Sequence, residues 1–316
     1  MNVLLRKLSR ETILTLLFFL PQARRIRIER WLRGRDDLKT LGRTACVVVS
    51  YGKSGRTWLR VLMSRFYQIR HGLSERHLIS FDNLYRKDSR IPKIFFTHDN
   101  YLKDYTGHDR DKSDYYDKKV ILLVRHPADV AVSQYFQWKY RMRAAKKTLN
   151  QYPPDGAEIE IFDFVMRPES GLPSVIDYMN IWANEAEKIK SLHLLRYEDL
   201  RADTAGALEG ALAFMGTPAT PEELEQSVAF ASVENMRKLE ERKVFWLSGG
   251  RMVAKDKGNP NSYKVRRAKV GGFKDYFDDA QVAEIEEMIN SRLSPYFGYG
   301  DAAAGPIDSQ SRAASA

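Results

Sequence analysis

Residues 46–67 read CVVVSYGKSGRTWLRVLMSRFY. The first part is a short apolar, β-branched run, the pattern of a strand buried on both faces. The last part places Trp58, Leu59, Leu62, Met63 and Phe66 at helical spacing, with Arg60 and Arg65 between them. The joint holds two glycines, a lysine, a serine and a threonine. Strand, small-residue loop and helix in that order aim backbone N–H groups and a helix dipole at an anion. Lys53 adds a mobile positive charge, and Ser54 and Thr57 add hydroxyl donors. The stretch therefore reads as a phosphate cradle, although the same residues also suit an ordinary βα turn with Lys53 and Arg56 at the surface. It is not the common NTPase loop: that pattern opens with a glycine six residues before the lysine, and Val47 stands there.

Working outward, three further apolar runs read as strands: 93–97, 120–124 and 193–196. Helical patterns separate them, which predicts an α/β fold: a single three-layer domain with a central parallel sheet. In such sheets ligands bind outside the carboxyl ends of the strands. The cradle, His98, Arg125 and Tyr197 all follow predicted strand ends. Arg125 and Ser133 lie eight residues apart, about two helical turns, so a forked guanidinium and a hydroxyl share one side of the site. Residues 144–173, with Pro153, Pro154, Gly156 and Pro173, read as a long, partly helical insertion. Helices are also expected over 174–191, 204–215, 221–230 and 280–293.

The 316 residues carry a formal net charge of +10, and its distribution decides its meaning. Residues 1–43 hold eleven Lys/Arg against four Asp/Glu, and residues 251–275 hold eight against two. The remainder is slightly acidic. Two basic segments point to local anionic contacts and argue against a generic nucleic-acid coat. The single cysteine, Cys46, leaves no internal disulfide framework and no zinc cluster, and a reducing compartment fits.

The expected layout is a basic, helical extension over 1–43, a domain over 44–299 and a disordered tail over 300–316. The apolar run Ile13–Leu20 is too short to span a bilayer, which needs about 20 residues. A second helix, roughly Gln22–Arg33, sets Ile26, Ile28, Trp31 and Leu32 among five arginines. Residues 1–35 thus suit either peripheral contact with an anionic leaflet at the cytoplasmic face or packing on the domain with solvated arginines.

Four segments resemble the PAPS-dependent sulfotransferases of the cytosolic type. Tyr51–Trp58 is similar to their 5′-phosphosulfate loop. Arg125-His126-Pro127-Ala128-Asp129-Val130-Ala131-Val132-Ser133 is similar to their 3′-phosphate motif. Arg196-Tyr197-Glu198-Asp199-Leu200 resembles their Y-E-D-L segment, and residues 266–274 (RRAKVGGFK) resemble their late R-K-G…G-x-W-K motif. The matches occur in the family's order and cover roughly residues 44–297. The resemblance implies that Lys53, Ser54, Gly55, Arg56, Thr57 and Trp58 hold the 5′-phosphosulfate of PAPS and flank its adenine. It implies Arg125, Ser133, Arg266 and Arg267 on the 3′-phosphate, Tyr197 on the adenine, and His98 with Lys53 as the catalytic pair. It implies no metal.

The chain also departs from that pattern. Gly52 replaces a proline, Arg56 a small hydroxyl residue, Phe96 the lysine two before the histidine, and Ala268 a glycine. Asp278-Asp279 stand where some relatives carry a dimer contact, so the oligomeric state is not legible. The acceptor is open: a small molecule, saccharide or glycolipid, met by loops 72–92, 139–172 and 239–262 and by aromatics such as Tyr85, Tyr101, Tyr135, Phe136, Trp138, Tyr140 and Trp246. Two other functions stay open: a nucleotide-dependent phosphotransferase, which shares the cradle and would need Mg²⁺, and a non-catalytic binder of nucleic acid or anionic membrane that uses the two basic segments.

Overall fold

A computed structural model describes residues 3–245, 256 and 258–300, with side chains from residue 8 onward. Trp246 and residues 301–316 of the expected tail lie outside the described residues. Four strands, β1 (Cys46–Val49), β2 (Ile94–Thr97), β3 (Lys119–Val124) and β4 (Ser191–Arg196), form one sheet in the order β2-β1-β3-β4. Every neighbouring pair is parallel, with Val48 of β1 facing Phe96 of β2 and Ile121 of β3. The chain leaves β1 toward one edge and returns to its other side, so the direction of winding reverses at β1/β3. That is where a crevice opens in such a sheet.

Strand residues alternate between two cores, as the period of two requires. Cys46, Val48, Ile121 and Leu123 pack under the helix Arg56–Arg70, with Leu59, Leu62 and Phe66, and under the helix Thr204–Phe214, with Leu208 and Leu212. Val47, Val49, Val120, Leu122 and Val124 face the other way. They meet Val130 of the helix Pro127–Tyr140, Ile176, Met179 and Trp182 of Leu172–Glu185, and Ile285 and Ile289 of Asp279–Arg292. Both faces of the sheet are dry, which is why β1 and β3 are apolar almost throughout. The three-layer α/β expectation holds.

Some boundaries differ. The second N-terminal helix runs over Gln22–Leu41, eight residues past the expected end. It runs through Gly34, where a Cβ would stand 2.2 Å from the Tyr101 carbonyl oxygen. The glycine permits close approach to the helix Leu102–Thr106, and tertiary contact carries the helix through it. The first helix is Val3–Leu16, and residues 17–20 of the apolar run form the turn after it. Short helices at Tyr197–Ala202 and Val233–Glu241 were not anticipated, although Val233, Met236 and Leu239 in the second stand at helical spacing. The insertion contains two short helices, Ala144–Leu149 and Ile161–Met166. Asp278 serves locally: with Gln281 it forms a capping box on the last helix.

Candidate active site

The cradle is the turn from β1 into the helix Arg56–Arg70. Lys53 has φ 75° and Gly55 φ 93°, both in the left-handed region. This alternation turns successive N–H groups to one side, and Gly55, at the helix start, leaves the first turn without a side-chain cap. Glycine is demanded twice at 55, since a Cβ there would also stand 2.6 Å from the Tyr197 ring. Ser54 is buried beneath the loop, whereas Lys53, Gly55, Arg56, Thr57 and Trp58 line a cleft of about 1550 Å³. Trp58 meets Tyr197 edge to face at 5.9 Å and is pinned by its Nε1–H to the Ala231 carbonyl, 2.8 Å away.

Arg125, from the end of β3, reaches into the same cleft. Its guanidinium donates to Ser133 Oγ at 3.5 Å and to the carbonyls of Lys53 (3.4 Å) and Lys269 (3.0 Å), and lies over the Tyr197 ring at 4.5 Å. Arg266 and Arg267 arrive from the late loop. Arg266 stacks on Phe136 at 3.9 Å and donates to Tyr276 Oη, and Arg267 pairs with Asp275 at 2.8 Å. Burial and the charges of Arg141, Arg125 and Arg266 push the Lys53 ammonium down to about 7. Like charges crowd here around a space that an anion would relieve.

Two acids hold this crowd, and sequence reasoning missed both roles. Asp129, buried in the helix after Pro127, accepts from the N–H groups of Gly271 (3.0 Å) and Phe273 (2.9 Å) and pairs with Arg125 at 3.2 Å. Its position in the first helical turn also suits the helix dipole, but the tether to the late loop is long-range. Glu240, fully buried, accepts from Arg141 at 3.1 Å and from the N–H groups of Lys264 (2.8 Å) and Val265 (3.2 Å). No local pattern marks it. Ala268 adopts φ 53°, so the backbone keeps a left-handed turn where the family pattern has glycine.

His98 follows β2 and lines the same cleft. Its Nδ1 stands 2.8 Å from the Ser50 carbonyl, which accepts only, and its Nε2 stands 2.6 Å from Nη2 of Arg56, which donates only. The proton is therefore on Nδ1 and the lone pair on Nε2. Burial, then the Arg56 charge, holds its pKa well below the ordinary imidazole value, so the ring is neutral. Beside it, Phe96 lies under the Arg60 guanidinium at 4.1 Å. Asp99, the next residue, is buried and bonded to Lys112 and to Tyr115 Oη, each at 2.8 Å.

The pocket aromatics differ from the expected set. Tyr135 and Trp138 are buried together against Phe164, and Tyr85 lies near Lys93. Phe136 does line the cleft, as do Tyr51, Tyr152 and Tyr178. The difference is one of helix face: Tyr135 and Trp138 turn to the core, and Phe136 turns to the site.

The fold and the site together define an α/β protein whose strand ends gather cations and hydroxyls around one cleft beside a neutral histidine. The chain belongs to the sulfotransferase domain family, whose description matches residues 43–297. It is 30% identical to human Sulfotransferase 2A1 over 176 residues, and spans about half of that relative, 56% of each chain. It is 24% identical to the 3-beta-hydroxysteroid sulfotransferase of Cavia porcellus over 272 residues, 79% of this chain and 84% of that one. Among solved structures, mouse sulfotransferase SULT7A1 complexed with PAP is similar at TM-score 0.54 and 21% identity, covering 80% and 89% of the two chains. Retinol dehydratase in complex with retinol and PAP is similar at TM-score 0.56 and 18% identity, covering 80% and 82%.

Proposed function

We propose that this protein transfers a sulfuryl group from PAPS to a hydroxyl or amine of an acceptor and releases PAP. One observation carries the proposal: Lys53, Arg125, Ser133, Arg266 and Arg267 line the same cleft as a histidine held neutral with its lone pair on Nε2. The donor set suits PAPS. The cradle N–H groups, Lys53 and Thr57 would hold the 5′-phosphosulfate, and Ser54 would support the loop from beneath. Arg125, Ser133, Arg266 and Arg267 would hold the 3′-phosphate, and Trp58 and Tyr197 would flank the adenine. PAPS supplies the sulfuryl group. His98 Nε2 takes the proton as the acceptor oxygen or nitrogen bonds to sulfur, while the bond from sulfur to the 5′-phosphate oxygen breaks. Lys53 offsets the charge that collects on that oxygen. By analogy with phosphoryl transfer, most of the acceleration comes from positioning and charge stabilisation.

Arg56 supplies a positive charge beside His98 where the resemblance led us to expect a lysine at Phe96. Arg56 must leave Nε2 as the acceptor arrives, and the transferring sulfonate is the anion that would draw it away. The acceptor is proposed as a saccharide or glycolipid. Supporting that choice, the cleft lining includes the polar side chains of Tyr51, Tyr152, Tyr178, Asn150, Gln151 and Lys146. A cytoplasmic location is proposed with it; no helix of the described residues is long and apolar enough to cross a membrane.

The decisive experiment incubates the protein with sulfur-labelled PAPS and a panel of saccharide, lipid, phenol and amine acceptors. It is preceded by melting curves with PAP and with ATP plus Mg²⁺. A shift with PAP alone is expected; a shift with ATP and Mg²⁺ alone would turn the reading toward phosphoryl transfer. His98→Ala is expected to bind PAP normally and to lose turnover by about 10²–10⁴-fold.

A further inference from the structure

The two N-terminal helices, Val3–Leu16 and Gln22–Leu41, form a hairpin whose tip is unlike the rest of the surface. At the tip Leu16, Phe18 and Phe19 are 67%, 75% and 68% exposed, and the two phenylalanine rings meet edge to face at 6.0 Å. These are the largest exposures among the large apolar side chains described. Directly after them Pro21 starts the second helix, and Arg24, Arg25 and Arg27 are all exposed. The hairpin is not loose. Arg10 pairs with Asp36 across it at 3.3 Å, and Arg30 donates to Asp104 (2.9 Å) and to the carbonyls of Leu149 (3.0 Å) and Asn100 (3.1 Å). Its Glu11, Glu29, Arg30 and Arg33 line the catalytic cleft.

We infer that this tip is a docking surface for an anionic lipid bilayer, with Phe18 and Phe19 inserted at the headgroup boundary and the three arginines on lipid phosphates. Charge complementarity selects the occupant. Exposed aromatic rings flanked by a dense basic cluster match an anionic membrane surface, where each arginine adds attraction and the rings settle at the interface. A second copy of the chain would bring two arginine clusters into like-charge contact. Because the hairpin is fixed to the domain and borders the cleft, docking would hold the cleft close to the bilayer surface. A hydroxyl or amine borne on a lipid headgroup is then the acceptor class within reach. That last step rests on the sulfuryl-transfer proposal; the docking surface does not.

The test is co-sedimentation of the full chain with vesicles of phosphatidylcholine alone and of phosphatidylcholine with phosphatidylglycerol, beside PAP melting curves and sedimentation velocity without lipid. The unsubstituted protein is expected to sediment with the phosphatidylglycerol vesicles and to stay in solution with phosphatidylcholine alone. F18S/F19S and R24Q/R25Q/R27Q are each expected to weaken that partition by about tenfold or more while keeping the PAP melting shift. Three results overturn the inference: no sedimentation of the unsubstituted chain with either vesicle, sedimentation of both variants equal to it, or a dimer that F18S/F19S dissolves with no vesicle binding in any form. If PAP shifts none of the proteins, the sulfuryl-transfer proposal fails while the vesicle result stands by itself.

Discussion

His98 and Lys53 owe their states to neighbours that are remote in the chain. A neutral histidine with its lone pair on Nε2 is fixed by one obligate acceptor and one obligate donor, Ser50 and Arg56. After burial, the Arg56 charge is the largest influence holding the ring neutral. Arg56→Gln keeps a hydrogen-bond donor and removes that charge. The His98 titration midpoint, read by NMR of the imidazole, is expected to rise toward about 6.5; an unmoved midpoint would mean burial alone keeps the ring neutral. Lys53 gives a second test. With its free pKa near 7 and an ordinary lysine value of about 10.5, an anion that restores the ammonium takes up a proton in between. PAP affinity should therefore fall as pH rises above about 7, by at most about tenfold per pH unit. Calorimetry in two buffers of different ionisation enthalpy should show that uptake, and Lys53→Met should abolish it.

The late loop and the cradle are positioned by contacts that no local period encodes. Asp129 ties residues 271 and 273 to the helix Pro127–Tyr140, and Glu240 ties residues 264 and 265 to the helix Val233–Glu241. Asp129→Ala leaves two N–H groups without their acceptor, which costs about 1–3 kcal/mol each where water cannot replace it. Chemical denaturation should show a loss of that order, and calorimetry a PAP affinity about tenfold weaker, because Arg266 and Arg267 ride on the released loop. Unchanged PAP affinity would detach this loop from nucleotide binding. In the cradle, Gly55→Ala must adopt φ 93° and meet the Tyr197 ring at 2.6 Å. Its stability is expected to fall by about 1–3 kcal/mol, read by thermal or urea unfolding.

At the scale of the whole molecule, the N-terminal segment is fastened to the domain through Arg30 and the close approach at Gly34, while the Arg10–Asp36 pair ties its two helices to each other. Arg30→Ala removes three hydrogen bonds to residues 100, 104 and 149. Amide exchange in residues 22–41 should accelerate while exchange in β1 and β3 stays slow. Equal acceleration everywhere would mean that the hairpin is part of one cooperative unit with the sheet. The sequence by itself determined the layered fold, because buried parallel strands must be apolar on both faces and the runs at 46–49 and 120–124 leave no other use. It also determined the strand–turn–helix at 46–70 and the Arg125–Ser133 pair, because both are spaced along a single strand–turn–helix. Only the tertiary structure decided the Arg56 contact to His98, the tethers of Asp129 and Glu240, and which aromatics line the cleft. Those depend on distances between segments up to 144 residues apart, such as Asp129 and Phe273. Helical and strand periods constrain neighbours within a few turns and say nothing about which remote side chain will complete a charge or a hydrogen bond.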